Sequence, residues 1–427
     1  MPLDTAFAVG AAPLDAAPAT TFDRLHVETL TRLADAEALA DDWLALERRQ
    51  QRAAFFQSCG WCLYVWRTRE NAADGDEFEP RLMVIRDGAS VVAIWPLAVR
   101  GGAGGRVAQD LTEPFGQYSD ILVRPGADSE RVRIAAFAEL ERWRVDGLVL
   151  RKVRADSLLA TWLAVGGVSI GAIEGAPQIS LETTGGHDAY RRSLNAKTRK
   201  HLRNYRNRVS REGTLTHTLH DEPAAAGAII QRCFDGRTGW LETSGLSSTA
   251  FADPAFADIV DGLAARARGA PPVVAMRLAL ASGDADSDDI DLSLHWGFEH
   301  AGRYYAFMAS KNPAYDAFSP GRLHLEDVVA ALDARGNGTI DLLVPALPYK
   351  LSFATETVKV SGYGVPFTLR GRLAIHCWHG RLRPAIKAVM LALPTGVRRK
   401  VMACKDALHG WRTRMATVSA APSPSHP

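Results

Sequence analysis

The stretch from Asp291 to Phe353 limits what this chain can fold into, because its hydrophobic rhythm changes period twice in a fixed order. Leu292–Phe298 and Arg303–Ala309 are apolar and aromatic runs of strand character, and Glu299-His300-Ala301-Gly302 between them is a turn signal. After Phe318-Ser319-Pro320-Gly321, helical spacing takes over through Val328, Val329 and Leu332 as far as Arg335. Gly336-Asn337-Gly338 stops that helix, Thr339–Val344 begins a further strand, and Tyr349-Lys350 follows. A loop with glycine at a helix start leaves backbone N–H groups aimed at one point, with the positive end of the helix dipole behind them. That suits a pyrophosphate or another anion. Proline and glycine also occupy helix starts for purely structural reasons, so the order of the elements carries more weight than the loop.

Strand, anion-binding loop, helix, strand resembles the acyl-CoA-binding core of the GNAT acyltransferases. Tyr315, the Ser319-Pro320-Gly321 loop, Ile340-Asp341-Leu342-Leu343 and Tyr349-Lys350 resemble in particular the GNAT-like family of the cellulose and exopolysaccharide biosynthesis (CelD/BcsL) type. That family is similar to the Fem-type transferases, which carry two GNAT-like halves in one chain. The run Phe55-Phe56-Gln57-Ser58 followed by Trp61 resembles the opening of the family, and Leu194…Lys197…Arg199-Lys200…Leu202-Arg203 resembles its connector between halves. The likeness extends over Asp41–Phe367 as a scattered pattern.

At 427 residues the chain is long enough for two full cores, and 47% hydrophobic with 23% charged residues is ordinary for a globular protein. No apolar run reaches the roughly 20 residues of a membrane-spanning helix. Met1–Thr21 lacks the basic start and apolar core of a secretory leader and is expected to be a disordered lead-in, as is Ala416–Pro427 at the other end. Cys59, Cys62, Cys233, Cys377 and Cys404 form no disulfide framework. Cys59-Gly60-Trp61-Cys62 has redox or zinc spacing, but it lies in an aromatic helix-like run with no second pair and is expected to hold buried structural thiols.

Leu39, Trp43, Leu46 and then Phe55, Phe56, Trp61 suggest two early helices joined by Glu47–Arg52. Arg81–Ile85 and Val91–Val99 read as a hairpin across Asp87-Gly88. Then come the loop Gly101–Gly105, a strand at Ile121–Val123, Pro125-Gly126 before a helix over Val132–Trp143, and a strand at Leu148–Val153. The same order recurs around Val273–Val344, with Pro125-Gly126 answering Pro320-Gly321. Duplication of one α/β unit explains this recurrence; two unrelated α/β domains sharing common elements are the alternative. The fold class expected is α/β, a duplicated GNAT-like fold of two mixed-sheet lobes with flanking helices. Its parts are a lead-in (1–21), an N-terminal lobe (22–185), a basic connecting helix (186–213), an acyl-CoA-binding C-terminal lobe (214–367) and a basic tail (368–427). Cys233, Phe234 and Trp240 belong to a helix and its loop, Phe251–Ala267 to another, and Gly283–Asp289 to an acidic hairpin tip.

Two segments carry unusual charge. In Tyr190–Gly213, Leu194, Thr198, Leu202, Tyr205 and Val209 form one helical stripe while Lys197, Arg199, Lys200, Arg203, Arg206, Arg208 and Arg211 cover the rest. This is either a solvated basic face or a site for an anionic partner. From Arg370 to Arg414 only Asp406 opposes many cations, and Gly380–Pro394 joins basic residues to a short apolar helix. It lies along an anionic membrane surface or packs on the protein body.

The resemblance implies acyl transfer from acyl-CoA, acetyl or longer, to an amine or hydroxyl, with a sugar of an exopolysaccharide or its lipid-linked precursor as acceptor. The protein would be cytoplasmic, peripheral at the inner face of the membrane if the tail binds lipid. Such transfer needs few obligatory side chains, because the thioester is already activated. Ser319, Gly321, Arg322 and Leu323 are the expected CoA-phosphate contacts. Asp341 would orient or deprotonate the acceptor, Lys350 would bind an anionic group or stabilise the oxyanion, and Tyr349 and Tyr315 would handle the proton. Tyr118, Asp120, Arg199 and Arg203 are candidate acceptor contacts. Family members commonly have an Asp two residues before the Tyr-Lys pair, where this chain has Leu347 between Pro345 and Pro348. Competing readings are N-acylation of a lipid amine such as a sphingoid base, tRNA-dependent aminoacyl transfer, and a non-catalytic synthase subunit. No H-E-x-x-H, paired C-x-x-C or Walker lysine motif occurs, so neither metal nor nucleotide-triphosphate chemistry is expected; a nucleic-acid partner is not expected either.

Overall fold

The structure, a computed structural model, describes residues 25–50, 55–71, 78–102, 105–281 and 289–401. The expected disordered ends, Met1–Thr21 and Ala416–Pro427, the acidic tip before Asp289, and Cys404 lie outside the described residues. The first half runs β1 (His26–Leu30), α1 (Leu33–Ala38), α2 (Ala40–Arg48), a 3₁₀ turn (Phe55–Gln57), α3 (Cys59–Asn71), β2 (Phe78–Asp87), β3 (Ser90–Arg100) and β4 (Val107–Asp110). It continues through β5 (Leu122–Val123), α4 (Ser129–Arg142), β6 (Gly147–Arg154), α5 (Leu158–Gly166) and β7 (Val168–Ser180). Three helices lead to the second half: α6 (Leu181–Thr184), α7 (His187–Ser193) and α8 (Ala196–Val209). The second half comprises β8 (Leu215–His220), α9 (Pro223–Ser244), α10 (Ala255–Ala264), β9 (Val274–Leu280), β10 (Ile290–His300) and β11 (Arg303–Lys311). A 3₁₀ turn (Pro313–Phe318), α11 (Pro320–Ala334), β12 (Thr339–Asp341), α12 (Pro348–Leu351) and β13 (Glu356–Pro366) complete it. The tail forms α13 (Leu369–Leu373), a π-helical segment (Ala374–Leu382) and α14 (Arg383–Ala392).

The two halves repeat strand for strand and share one 13-stranded sheet, ordered β1-β2-β3-β4-β6-β13-β7-β12-β11-β10-β9-β8, with β5 on the edge of β3. The last strand of each half completes the sheet of the other. β13 lies antiparallel to β6, with Tyr363 opposite Leu150, and β7 lies antiparallel to β12, with Ile179 opposite Ile340. The exchanged strands also pair with each other, so each of the two has a strand partner on both sides. The expected duplicated, mixed α/β architecture is therefore present, with its two sheets fused into one.

Local chemistry explains the hairpins. The turn between β10 and β11 has Ala301 at φ 49° and Gly302 at φ 71°, the pair of left-handed residues that a two-residue hairpin turn requires. Other expectations change. Pro125-Gly126 does not start a helix, because α4 begins at Ser129, capped by the Asp128 carboxylate, which accepts from Glu130 N–H and Arg131 N–H at 3.1 Å. Pro320, by contrast, occupies the first turn of α11. The duplication rests on topology, not on that dipeptide. β12 stops at Asp341 rather than Val344, since Leu343 takes φ 57° and turns the chain away. Trp240 lies inside α9, and α10 is shorter than the amphipathic run suggested.

The largest core joins the halves. Phe55 stacks on Phe298 with ring centroids 4.1 Å apart, Phe56 meets Tyr305 edge-on, and Phe115 stacks on Phe256. Tyr64 Oη donates to Ile259 O at 2.6 Å. Cys59 and Cys62 are buried here as free thiols; burial pushes Cys59 up to about 12, so both behave as packing groups. Because half of each central pairing comes from the other half of the chain, residues 22–185 expressed alone should lack a cooperative thermal transition by circular dichroism. Cooperative unfolding of that fragment would refute the mutual dependence.

Candidate active site

β11 and β12 run parallel and pair only over Arg303–Tyr305 and Thr339–Asp341. Beyond that point β11 continues to Lys311 while β12 has ended, so the two diverge into a wedge. The β12-facing edge of residues 306–311 has no strand partner, and Ala306, Ala309 and Ser310 are at least partly exposed although the strand is central in the sheet. An edge without a ladder partner suits an extended amide-containing ligand, although Ser310 O already accepts from Ser293 Oγ at 3.0 Å. α9 packs on the face of the sheet beside it, where Gly236 lies against the Ser310 side chain.

Lys350, on α12, closes the narrow end. Its Nζ donates to Leu342 O at 2.6 Å and Leu343 O at 3.0 Å, the carbonyls left over where β12 stops. Burial lowers its pKa to about 8, with Asp341 opposing the shift and Arg237 adding to it. A lysine so placed carries a charge that is conditional near neutral pH. Tyr349 beside it is 37% exposed, and burial of its hydroxyl raises its pKa against the effect of Arg237. Arg237 lies over the Trp240 ring at 4.2 Å. Leu347, Tyr349, Leu351 and Trp240 are exposed apolar side chains on the two helices that carry this charge.

Asp341 is fully buried at the junction of the halves. Its Oδ1 accepts from Tyr118 Oη at 2.8 Å and from Leu343 N–H at 2.9 Å, and its Oδ2 accepts from Arg154 at 2.7 Å. Arg303 stands 3.7 Å away and also reaches Gln178 Oε1 at 2.8 Å. Both carboxylate oxygens of the expected base therefore already accept hydrogen bonds, which hold β12 where it leaves β11. Tyr118, expected to contact the acceptor, instead bonds Asp341; desolvation and that carboxylate hold its pKa well above the usual phenol range. Sequence singled out both residues but not Arg154, Gln178 or Arg303, whose convergence depends on strands distant in the chain.

The other candidates separate. Ser319 takes φ 49°, and its carbonyl accepts from Arg322 N–H at 3.0 Å and Leu323 N–H at 3.4 Å. Of the three expected anion-binding amides, only Gly321 N–H lacks an internal acceptor among the described residues. Arg322 bonds Ser352 Oγ at 2.8 Å, and the Leu323 side chain is in the core. Tyr315 packs with Phe318 against the α11 core rather than at Lys350. Asp120 accepts from Ile121 N–H, and burial raises its pKa to about 7, which fits a backbone-capping acid. Arg199 is spent on the carbonyls of Arg192 and Leu194, while Arg203 is exposed on α8. No group of three or more His, Cys, Asp or Glu arranged to hold a metal occurs among the described residues.

The equivalent gap in the first half is filled. β4 and β6 pair in parallel at Val107–Gly147 and Ala108–Leu148, but the loop after β4 then lies along β6. Ser119 N–H donates to Lys152 O and Ser119 Oγ to Arg151 O, Lys152 Nζ donates to Gly116 O, and Arg151 pairs with Glu113 at 2.8 Å. Among the described residues, the second half alone keeps its wedge without such a filling loop.

Residues 196–351, from the first residue of α8 to the last of α12, match the family model for an acetyltransferase (GNAT) domain. No curated protein sequence matches the chain. Among solved structures, FemX shares the fold at a TM-score of 0.55 and 10% identity, over 82% of this chain and 99% of that one. A conserved protein of unknown function from Bacteroides thetaiotaomicron follows at a TM-score of 0.48 and 11% identity, over 80% and 100% of the two chains. The C-terminal domain of a putative lysylphosphatidylglycerol synthetase from Agrobacterium fabrum gives 0.47 and 13%, over 78% and 92%. The domain match, on a duplicated GNAT fold, supports an acyltransferase enzyme.

Removing the Asp341 charge should act on stability first. Asp341→Asn leaves Arg154 with Asp156 as its carboxylate partner and Gln178 Oε1 as a neutral one, and is expected to cost about 3 kcal/mol, at the low end for a broken buried pair. Differential scanning calorimetry checks this. An unchanged Tm with abolished activity would instead make Asp341 a chemical participant.

Proposed function

We propose that this protein transfers an acyl group from acyl-CoA to an amine or hydroxyl acceptor, with acyl-CoA lying in the open wedge of the second half. The observation that carries this reading is the unpaired edge of β11 ending at Lys350. An extended amide-bearing arm would pair with residues 306–311, and the Gly321 N–H and the Arg322 cation lie at the start of α11 for phosphate oxygens. The acceptor lone pair attacks the thioester carbonyl, the tetrahedral oxyanion forms, and its collapse expels the CoA thiolate while the acceptor loses one proton. Lys350 in its charged form stabilises the oxyanion. Tyr349 is our candidate for delivering a proton to the thiolate, the proton lost by the acceptor restoring its hydroxyl.

The exposed rim of Trp240, Leu347, Tyr349 and Leu351 favours an acceptor with a lipid portion, either a lipid amine or a lipid-linked sugar. The exopolysaccharide sugar comes from the CelD/BcsL resemblance and is compatible with the second form. Leu347, where the family commonly has Asp, faces solvent on this rim, so its apolar character serves the same preference. Aminoacyl transfer from tRNA is the competing reading, suggested by the exposed cations Lys197, Lys200 and Arg203 on α8.

Calorimetric titration with acetyl-CoA and a long-chain acyl-CoA tests the proposal. Saturable binding is expected, and Gly321→Asp should abolish it without loss of fold, because a Cβ there points into open space. Absence of binding to either thioester, with salt-sensitive RNA binding instead, would overturn it in favour of the tRNA-dependent reading.

Lys350 gives a second test. Being charged below about 8 and neutral above it, Lys350 should make kcat fall as pH rises through that value. Lys350→Arg should remove this alkaline limb, since arginine keeps its charge, and Lys350→Met should lower kcat by about 10²–10³. An alkaline limb that persists in Lys350→Arg would exclude Lys350 as its source.

A further inference from the structure

The tail helix is inside out. Leu369–Ala392 runs unbroken from α13 through the π-helical segment into α14. It is anchored where Gly371 meets the Asp146 backbone and where Ile375 packs on Val149 and Ile170. Farther along, a polar group faces the protein: Arg383 is half-buried near Arg151 and Glu113, while Lys387, largely exposed, reaches the flank of the body 3.8 Å from Glu174. The apolar groups face outward, with Leu382 at 52%, Ile386 at 47% and Val389 at 61% exposed. A helix stabilised by packing on its own protein has the opposite arrangement.

The outward stripe is continuous. Leu369 and Leu373 are four apart, Trp378 follows after five, and Leu382 and Ile386 after four each. In an α-helix a step of five turns the residue off the stripe, but the i→i+5 repeat of the π-helical segment returns Trp378 to it. Eight cations and no acid lie between Leu369 and Val401, and Arg370, Arg372, Arg381, Lys387, Arg399 and Lys400 are exposed.

We infer that this helix is a docking surface for an anionic lipid bilayer, lying in the interface with Leu369, Leu373, Trp378, Leu382, Ile386 and Val389 inserted. Apolar residues beside a tryptophan and spread cations match the chemistry of a headgroup boundary. A second copy is a poorer occupant, because it would bring two all-cationic stripes face to face. The proposal goes beyond the acyl-CoA reading and stands without it.

Co-sedimentation of the full chain with vesicles tests it, using phosphatidylcholine alone and phosphatidylcholine with phosphatidylglycerol. Binding is expected to the anionic vesicles only and should weaken with salt. The double variant Ile386→Asp/Val389→Asp alters exposed positions and should abolish binding at an unchanged Tm. Arg372→Ala/Arg381→Ala/Lys400→Ala should weaken binding by about a hundredfold, at about fivefold per cation. No binding to anionic vesicles, equal binding to both vesicle types, or full binding by the Ile386/Val389 variant would each overturn the inference. So would a dimer by light scattering that the same variant breaks while vesicles go unbound.

Discussion

The exchange of β7 and β13 is the constraint on which the rest of the molecule depends. A strand added to a sheet satisfies a whole row of backbone N–H and C=O groups, and an unfilled edge at the centre of a protein would leave that row buried and unpaired. Here each half supplies the strand that the other lacks, so the sheet is complete only when both halves are folded together. The aromatic contact of Phe55 with Phe298 and the pairing of Asp341 with Arg154 then sit between elements that cannot move apart.

This junction sets the chemistry of the wedge. Asp341 ends the paired part of β12, and its hydrogen bonds to Tyr118, Arg154 and Leu343 N–H hold the strand where it leaves β11. Two carbonyls are stranded by that departure, and Lys350 covers them. Its depressed pKa follows from being buried at a break in the sheet, with one acid near and one cation near. The site is thus a consequence of interrupted pairing more than of any single side chain.

Duplication supplied two such breaks and only one stayed open. In the first half Lys152, Arg151 and Ser119 bind the loop into the gap beside β6, which makes that half a brace for the other. The same topology therefore serves as a support on one side and a candidate ligand cleft on the other.

Sequence alone determined what depends on neighbours along the chain. The hairpins at Gly88 and Gly302, the long helix after Pro320, its stop at Gly336 and the buried stripe of α8 all follow from local periodicity and turn chemistry. It also picked out Lys350, Tyr118 and Asp341, but not the hydrogen bond that ties the last two together. The short strands β1 and β8 and the two exchanged strands went unassigned, because Gly171, Gly175, Gly362 and Gly364 interrupt the alternation of β7 and β13. Tertiary structure alone decided that these strands cross between halves, that Arg154 and Arg303 reach Asp341, and that one wedge is filled while its twin is open. Those outcomes depend on pairings between residues more than a hundred positions apart in several cases, such as Tyr118 with Asp341, and no local rhythm encodes a partner at that distance.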